Sequence, residues 1–340
     1  MSDKKTDGTS RRVRVEDVAR VAGVSPITVS RALSNPEKVK EETRQRVAEA
    51  VAQTGYVVNS FASTLRSGRS SIITVFVSSL QNPHYAASIQ GLIDALEGSR
   101  FRLMFAQTGF SVDADSDLFN SLMSFRPAAV VLSEGVRSES LRNTLTDFDV
   151  PVLEMWDDDP DPIDMLVGFS VADASRMVGE HFAEQGFRHV AYFGHSSGRT
   201  AERLTGFRAG LARHGIDEVY VHSFEGTGTM MMGMSAFEEI VTEHPDCDAI
   251  FFATDLLATG ALLRAREMGI DVPGRVAIAG FGDLDYAAHT QPPLTTIHVS
   301  AYELGKDAGQ MLLKRLDTGP LPNRRLIRPV RLEARGSTAR

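Results

Sequence analysis

Apolar or small residues at Val15, Val18, Ala19 and Ala22 follow the i, i+3, i+4, i+7 spacing of an amphipathic helix. Gly23 stops it. Ser25 is a good N-cap and Pro26 sits where a first-turn proline is tolerated, so a second helix is predicted from about Pro26 to Leu33. Val29, Ala32 and Leu33 turn inward against the first helix, which leaves Ile27, Thr28 and Arg31 on the other face. Asn35-Pro36 ends the segment. A third helix is predicted over about 42–53, with Val47, Ala50 and Val51 on its apolar side and Gly55 as its stop. Two short helices joined by a glycine turn and closed by a third form a helix-turn-helix. Such a module places a helix in the major groove of DNA, where an arginine reaches both acceptors of guanine.

After Ser70 the pattern changes. Apolar runs alternate with helical stretches: "IITVFVS", then a helix near 84–98; "RLMFAQT", then 113–125; "AAVVLSE", then 138–147; and "VPVLEM". A second series follows: "HVAYFG", then 200–214; "EVYVHSF", then 230–243; "DAIFFAT", then 255–268; and "RVAIAGFG". Continuous apolar strands between helices indicate parallel sheets covered on both faces. Two such series predict two similar α/β lobes. "AIAGFG" lacks the G-x-G-x-x-G spacing of a dinucleotide site.

In open α/β lobes ligands bind beyond the carboxyl ends of the strands, and two facing lobes make a cleft there. The strand-end candidates in the first series are His84, Tyr85, Glu134, Glu154, Trp156 and Phe169. In the second they are His195, Arg199, Arg203, Thr254, Asp255, Phe281 and Asp283. Aromatic rings stack on sugar faces, while carboxylates and arginines take hydroxyls in bidentate fashion.

Charge sharpens the division. Of 340 residues, the first 70 hold 13 Lys/Arg against 8 Asp/Glu, a net of +5. The remaining 270 hold 23 against 36, a net of −13, and the whole chain carries −8. A basic head on an acidic body suits a polyanion partner for the head alone. The single Cys247 permits no internal disulfide and suits a reducing compartment. The N-terminus has no apolar run behind its charges, and no window approaches the ~18 apolar residues of a membrane span. A cytoplasmic protein without membrane contact is expected. The acidic "WDDDPDPID" is expected to be a solvated loop, and Met230, Met231, Met232 and Met234 to be core and helix start. No His or Cys set is spaced for zinc, no G-x-S-x-G elbow is present and no cofactor loop is found. The expectation is therefore no catalytic residues, no metal and no cofactor.

The stretch from Val15 to Ser70 closely resembles the head of the lactose-repressor family, with the core D-V-A-x-x-A-G-V-S-x-x-T-V-S-R, over about 55 residues. The resemblance implies that Pro26 and Ile27 stand at variable base-reading positions and that Arg31 is the groove-reading arginine. It places Ser25, Thr28 and Ser30 where hydroxyls meet phosphate or base edges. Pro26 has no donor and Ile27 only methyls, so thymine-methyl contact is the most they give, and direct readout rests on Arg31. "NSFASTLRSGRS" matches the family's hinge helix, which orders on operator binding. It begins at Asn59, with Ala62 at the small position and Leu65 at the minor-groove wedge. Val58 departs from the proline often found before the hinge.

The body is similar to the family's sugar-binding core, which shares its fold with periplasmic sugar-binding proteins. The stretches that carry this are "NPHY", "RLTGF", "TDLLATGAL", "VAIAGFGD" and "PPLTTI". "VLEMWDDDPDPIDMLVGFSVADA" with "GRTAERLTGF" looks most like the gluconate-repressor branch, whose ligand is a sugar acid. Arg199 and Arg203, four apart at a helix start, suit a carboxylate, and Glu154 suits hydroxyls at the other end. Members that bind neutral sugars also carry an arginine matching Arg203, so Arg199 is the discriminating position. Gly282 lacks the aspartate with which many of those members hold a hexopyranose.

The resemblance implies an all-α helix-turn-helix head at 1–58, a hinge helix at 59–70, and a two-lobed α/β core of parallel sheets. One lobe is expected from 71–168 plus about 299–326, the other from 169–298 plus about 327–340. The function expected is a transcriptional regulator, a repressor, of carbohydrate metabolism. As a homodimer it binds a pseudo-palindromic double-stranded operator and is controlled by a small sugar acid such as gluconate. No leucine heptad trails "LEARGSTAR", which favours a dimer over a tetramer. A neutral-sugar-responsive or corepressed regulator uses the same parts. A sugar-binding transport or sensing protein and an enzyme on sugar acids are the alternatives from other classes. The basic head argues against the first, and the missing nucleophile–base pair against the second.

Overall fold

The computed structural model of the protein describes residues 13–34, 36–56, 70–108, 116–136, 138–195, 199–224 and 228–340. The chain divides into two units, Met1–Ser70 and Ser71–Arg340. In the first unit, α1 (Val15–Ala22) starts where the Arg14 N–H donates to Asp17 Oδ2 at 3.0 Å. It stops at Gly23, whose φ of 64° is a left-handed value that glycine adopts readily. α2 (Pro26–Ser34) is capped by Ser25, whose Oγ accepts from the Thr28 N–H at 3.2 Å. α3 (Glu41–Thr54) closes the unit. Val18, Ala19, Ala22, Val29, Ala32, Val47 and Ala50 are buried together as one small core. Arg46 fastens α3 to the α1–α2 turn by donating to the carbonyls of Ala22 at 2.5 Å and Gly23 at 3.3 Å.

The second unit begins with β1 (Ile72–Val77), β2 (Arg102–Gln107), β3 (Ala129–Leu132), β4 (Val152–Met155) and β5 (Met165–Gly168). Between the first four come α4 (Pro83–Ala95), α5 (Ser116–Met123) and α6 (Glu139–Asp147). The sheet order is β2-β1-β3-β4-β5, and β11 (Arg325–Ile327) completes it beside β5. Every pairing in it is parallel. A parallel sheet covered on both faces needs apolar residues at successive positions. Strands β3, β4 and β5 are buried at every position.

The chain then runs through α7 (Val171–Glu184) into a second parallel sheet of order β7-β6-β8-β9. Its strands are β6 (Val190–Gly194), β7 (Val219–Ser223), β8 (Ala249–Phe252) and β9 (Ala277–Ala279). They are interleaved with α8 (Arg199–Ala212), α9 (Met230–Glu243) and α10 (Asp255–Glu267). β10 (Thr296–His298) leads back to α11 (Ala301–Thr318), which packs on α4; there the Tyr302 hydroxyl donates to Asp94 Oδ2 at 2.8 Å. After β11 the chain returns as β12 (Arg331–Glu333), antiparallel to β10. The last turn sits against β9, where Ser337 Oγ donates to the Ile278 carbonyl at 2.6 Å and accepts from the Thr295 N–H at 2.8 Å. The helices lie within a few residues of the expected spans, apart from 113–115, which fall outside the described residues. Among the described residues no helix is long and apolar enough to cross a membrane.

The acidic loop between β4 and β5 differs from the solvated loop expected. Asp157 is buried, and arginines from distant elements clasp the rest. Arg142 donates to the Asp161 carbonyl at 2.8 Å, Arg324 to Asp161 Oδ1 at 3.1 Å and Arg325 to the carbonyls of Asp159 and Asp158 at 2.9 and 2.5 Å. Arg315 pairs with Asp164 at 3.0 Å.

The second sheet's core is aromatic. The fully buried Phe207 ring lies 5.8 Å from Phe182, 6.3 Å from Tyr192 and 5.1 Å from Phe251, centroid to centroid. Removing it leaves a cavity its neighbours cannot fill. Phe207→Ala is expected to cost ~3–5 kcal/mol in urea unfolding, and a loss below ~1 kcal/mol would contradict this packing.

Candidate functional site

The carboxyl ends of the two sheets border a cavity of about 340 Å³, within the size of small-molecule sites. From the first sheet's side, His84, Tyr85, Glu134, Trp156 and Phe169 line it. From the second come His195, Arg203, Thr254, Asp255 and Phe281. The strand-end rule thus brings together ten of the expected residues.

Asn82 caps α4 by accepting from the His84 N–H at 3.0 Å, and this fixes His84 at the helix mouth. His84 Nε2 is buried and has no hydrogen-bond partner among the described residues. Burial, and then the charge of Arg203, lower its pKa to about 4, so the imidazole is neutral. Opposite stands Gly282 at φ 132°, where a Cβ would fall 2.0 Å from His84 Nε2. A side chain at 282 would require the His84 imidazole to move.

Trp156 has φ 66°, an outlier for a bulky residue and the kind of strain that clusters at ligand sites. Its ring packs edge-on to Tyr85 at 5.4 Å and Phe169 at 5.9 Å, and Phe169 stacks on Phe281 at 6.2 Å. The chain of rings ends on a cation: Arg203 Cζ lies 4.1 Å from the Phe281 centroid, within cation–π range. The Tyr85 hydroxyl donates to Glu134 Oε1 at 3.4 Å. The His195 ring lies 4.2 Å from Phe224, and burial lowers its pKa.

Thr254 caps α10 by accepting from the Leu257 N–H at 3.3 Å. Asp255 Oδ2 accepts from the Leu284 N–H at 2.7 Å and its Oδ1 from the Thr296 hydroxyl at 2.5 Å. Asp283 lies outside the cavity lining. At φ 59° it pairs with His298 Nδ1 at 2.8 Å and Arg335 at 2.7 Å. Burial opposes its ionisation, but these bonds outweigh burial and lower its pKa.

Glu154 is a correction. It is 0% exposed and does not line the cavity. Its carboxylate accepts from the N–H groups of Val136 at 2.9 Å and Ile163 at 2.8 Å, and burial raises its pKa. Arg199 is the first residue of α8, but its side chain falls outside the described residues. Phe224, at the end of β7, lines the cavity and was overlooked, although the strand-end rule covers it. Asn82 also lines it; Asn-Pro before a helix is a capping signal. Of the methionine run, Met230 starts α9 at the cavity wall, but Met231 is exposed and not core.

In the first unit, Ser25, Pro26, Ile27 and Arg31 are exposed, and Ile27 is exposed to 69%. Thr28 and Ser30 are half-buried, and Val29 and Ala32 face the core. Among the described residues Arg31 makes no ion pair. Asn59, Ala62 and Leu65 lie outside the described residues.

Burial raises the pKa of Asp255 to about 6, against the bonds from Thr296 and Leu284. A carboxyl with a raised folded pKa contributes stability that is present below its ordinary 3.8 and lost as pH rises through about 6. In urea unfolding, the wild type is expected to gain on Asp255→Asn as pH falls from about 6 to about 4. A difference that does not change with pH would contradict this.

Residues 14–59 match the model of the bacterial regulatory proteins of the lacI family, and 180–338 match the periplasmic binding protein-like domain. The chain is 32% identical over 314 residues to the HTH-type transcriptional regulator GntR of Pseudomonas aeruginosa, covering 92% of this chain and 91% of that one. A LacI-family transcriptional regulator from Silicibacter pomeroyi superposes with a TM-score of 0.89 at 28% identity, over 96% of this chain and 100% of that one. The lac repressor dimer bound to operator and the anti-inducer ONPF gives 0.80 at 26% identity, over 97% and 100%. The chain belongs to the lacI family of bacterial regulatory proteins and is a DNA-binding transcriptional regulator, not an enzyme.

Proposed function

We propose that the protein is a cytoplasmic repressor of carbohydrate metabolism whose homodimer binds a pseudo-palindromic operator and is released by a sugar acid such as gluconate. The observation that carries the reading of an effector-controlled regulator is the cavity of about 340 Å³ at the carboxyl ends of two parallel sheets, with the Arg203 guanidinium over Phe281 in its wall. Because neutral-sugar members share that arginine, the choice of an acid rests on Arg199 and the branch resemblance. A guanidinium is suited to a carboxylate, which it grips with two parallel bonds. The two carboxylates in the wall already accept hydrogen bonds from the protein, Glu134 from Tyr85 and Asp255 from Leu284 and Thr296. A neutral His84 adds no competing charge and offers a hydroxyl partner. The resemblance of the 152–174 and 198–207 stretches to the gluconate-repressor branch supports the same ligand class, with Arg199 as a second carboxylate partner.

On this reading the head is 1–58, the hinge 59–70, and the lobes 71–168 with 299–326 and 169–298 with 327–340. Arg31 reads guanine, Ile27 contacts a thymine methyl, and Ser25, Thr28 and Ser30 meet phosphate or base edges. Asn59 and Ala62 form the hinge that presents Leu65 to the minor groove. The lac repressor dimer solved on operator DNA supports this arrangement. The effector touches both lobes and favours the closed state over the one that holds the two hinges at operator spacing.

The test is binding of the purified protein to its own upstream DNA at fixed salt, with and without gluconate, since phosphate-driven affinity falls steeply with ionic strength. Gluconate is expected to release the specific complex. Specific binding that ignores gluconate would contradict the sugar-acid reading and leave the head's role intact. In calorimetry, Arg203→Ala is expected to weaken gluconate roughly 10- to 100-fold, the ~1.5–3 kcal/mol of a charge-assisted hydrogen bond. Arg31→Ala is expected to cost ~1–3 kcal/mol of operator affinity and to relax discrimination at one base pair per half-site. Equal losses on operator and unrelated DNA would contradict base readout by Arg31.

A further inference from the structure

A second cluster lies at the outer edge of the second sheet, apart from the cavity. His222 stands on β7, which pairs with β6 on one side and ends the sheet on the other. Glu243 is the last residue of α9 and His244 its C-cap, with the His244 N–H donating to the Ile240 carbonyl. One donor atom from each of His222, Glu243 and His244 lies within 4.8 Å of the other two.

We propose that these three residues form a binding site for one divalent transition-metal ion of the zinc class, which ties the edge strand β7 to the end of α9. Two imidazoles and one carboxylate are a ligand set such ions take, with a fourth position left for water. Zinc bonds of ~2.0–2.2 Å require donors about 3.3 Å apart, so the side chains must close in modestly. Glu243 is exposed and moves without disturbing the core.

The surroundings orient the ligands. Tyr220 stacks flat on His244, with centroids 3.9 Å apart and planes 6° apart, and the Tyr220 hydroxyl donates to Asp246 Oδ2 at 3.0 Å. His222 meets His244 edge-on at 5.4 Å and 81°, so the two rings converge without stacking on each other. Glu239 Oε1 lies 3.6 Å from His222 Nδ1, a further carboxylate beside that ring. The carbonyl end of α9 and the carboxylates of Glu239, Glu243 and Asp246 make the locality negative, which favours a cation. Arg275, which donates to the Pro245 carbonyl at 2.6 Å, is the nearby cation, and His189 Nδ1 lies 3.2 Å from Asp246 Oδ2. A second grouping of Asp283, His298 and Glu333 is a poorer candidate, because His298 and Arg335 already occupy the Asp283 carboxylate.

The experiment is calorimetric titration of the full-length chain, freed of any affinity tag, with zinc chloride in a buffer that does not chelate, and with magnesium chloride as the contrast. One zinc ion per chain is expected, with no uptake of magnesium. His222→Ala and His244→Ala are each expected to weaken zinc by roughly 100-fold, the upper end of what losing even an outer-sphere partner causes. Glu243→Gln, at an exposed position, is expected to weaken it less. Thermal unfolding should rise with zinc in the wild type and not in the two histidine variants, each compared with its own metal-free melting, while their operator binding matches the wild type. No heat of binding, or several weak ions whose uptake survives both histidine substitutions, would overturn the site and leave an adventitious ion only.

Discussion

Three short stretches join the two parallel sheets: 169–170 before α7, 299–300 before α11, and 328–330 between β11 and β12. Everything the core does depends on this triple crossing. Parallel strands send their carboxyl ends to one side of a sheet, so the residues that follow them gather between the halves. Phe169 and Val299, on two of the crossings, line the cavity. A ligand there would touch two of the crossing segments themselves. Asp283 anchors the same region, joining the end of β10 through His298 to the C-terminal segment through Arg335.

The polar groups around the cavity divide by what they already hold. Glu154, Asp255 and Asp283 are committed to backbone groups or neighbouring side chains, and so stabilise loops. His84 is the contrasting case: a neutral imidazole with a buried, unpartnered Nε2, facing a glycine that leaves room for it. A buried polar atom without a partner is costly in the empty protein and is repaid when a ligand supplies one. On the proposed function, Arg203 held over Phe281 completes a site for an anionic, hydroxylated molecule.

Much of this was legible in the sequence because the signals are local. Gly23 and Gly55 mark helix ends by a left-handed backbone that few residue types favour, and Ser25 marks a start by its side-chain cap. Unbroken apolar runs announced parallel strands before any partner was known. Glu154 was misplaced because it was grouped with the residues that follow a strand, whereas it lies within one, with its carboxylate accepting from the N–H groups of Val136 and Ile163. The left-handed φ of Trp156 then breaks the alternation, so Trp156 reaches the cavity while Glu154, two residues earlier, does not. The acidic loop was misjudged for a related reason. Its arginine partners, Arg142, Arg315, Arg324 and Arg325, come from other elements, three of them more than 150 residues along the chain.

On the proposed function, the cavity and the DNA-reading head are two sites of one linked equilibrium. Coupling between binding sites is reciprocal, so whatever gluconate does to operator affinity, operator must do to gluconate affinity. The decisive measurement is the gluconate dissociation constant of the purified protein, free and saturated with operator DNA, at one salt concentration. Weaker gluconate binding is expected in the DNA-bound protein, by the same factor by which gluconate weakens the operator complex. Equal gluconate affinity in the two states would contradict it.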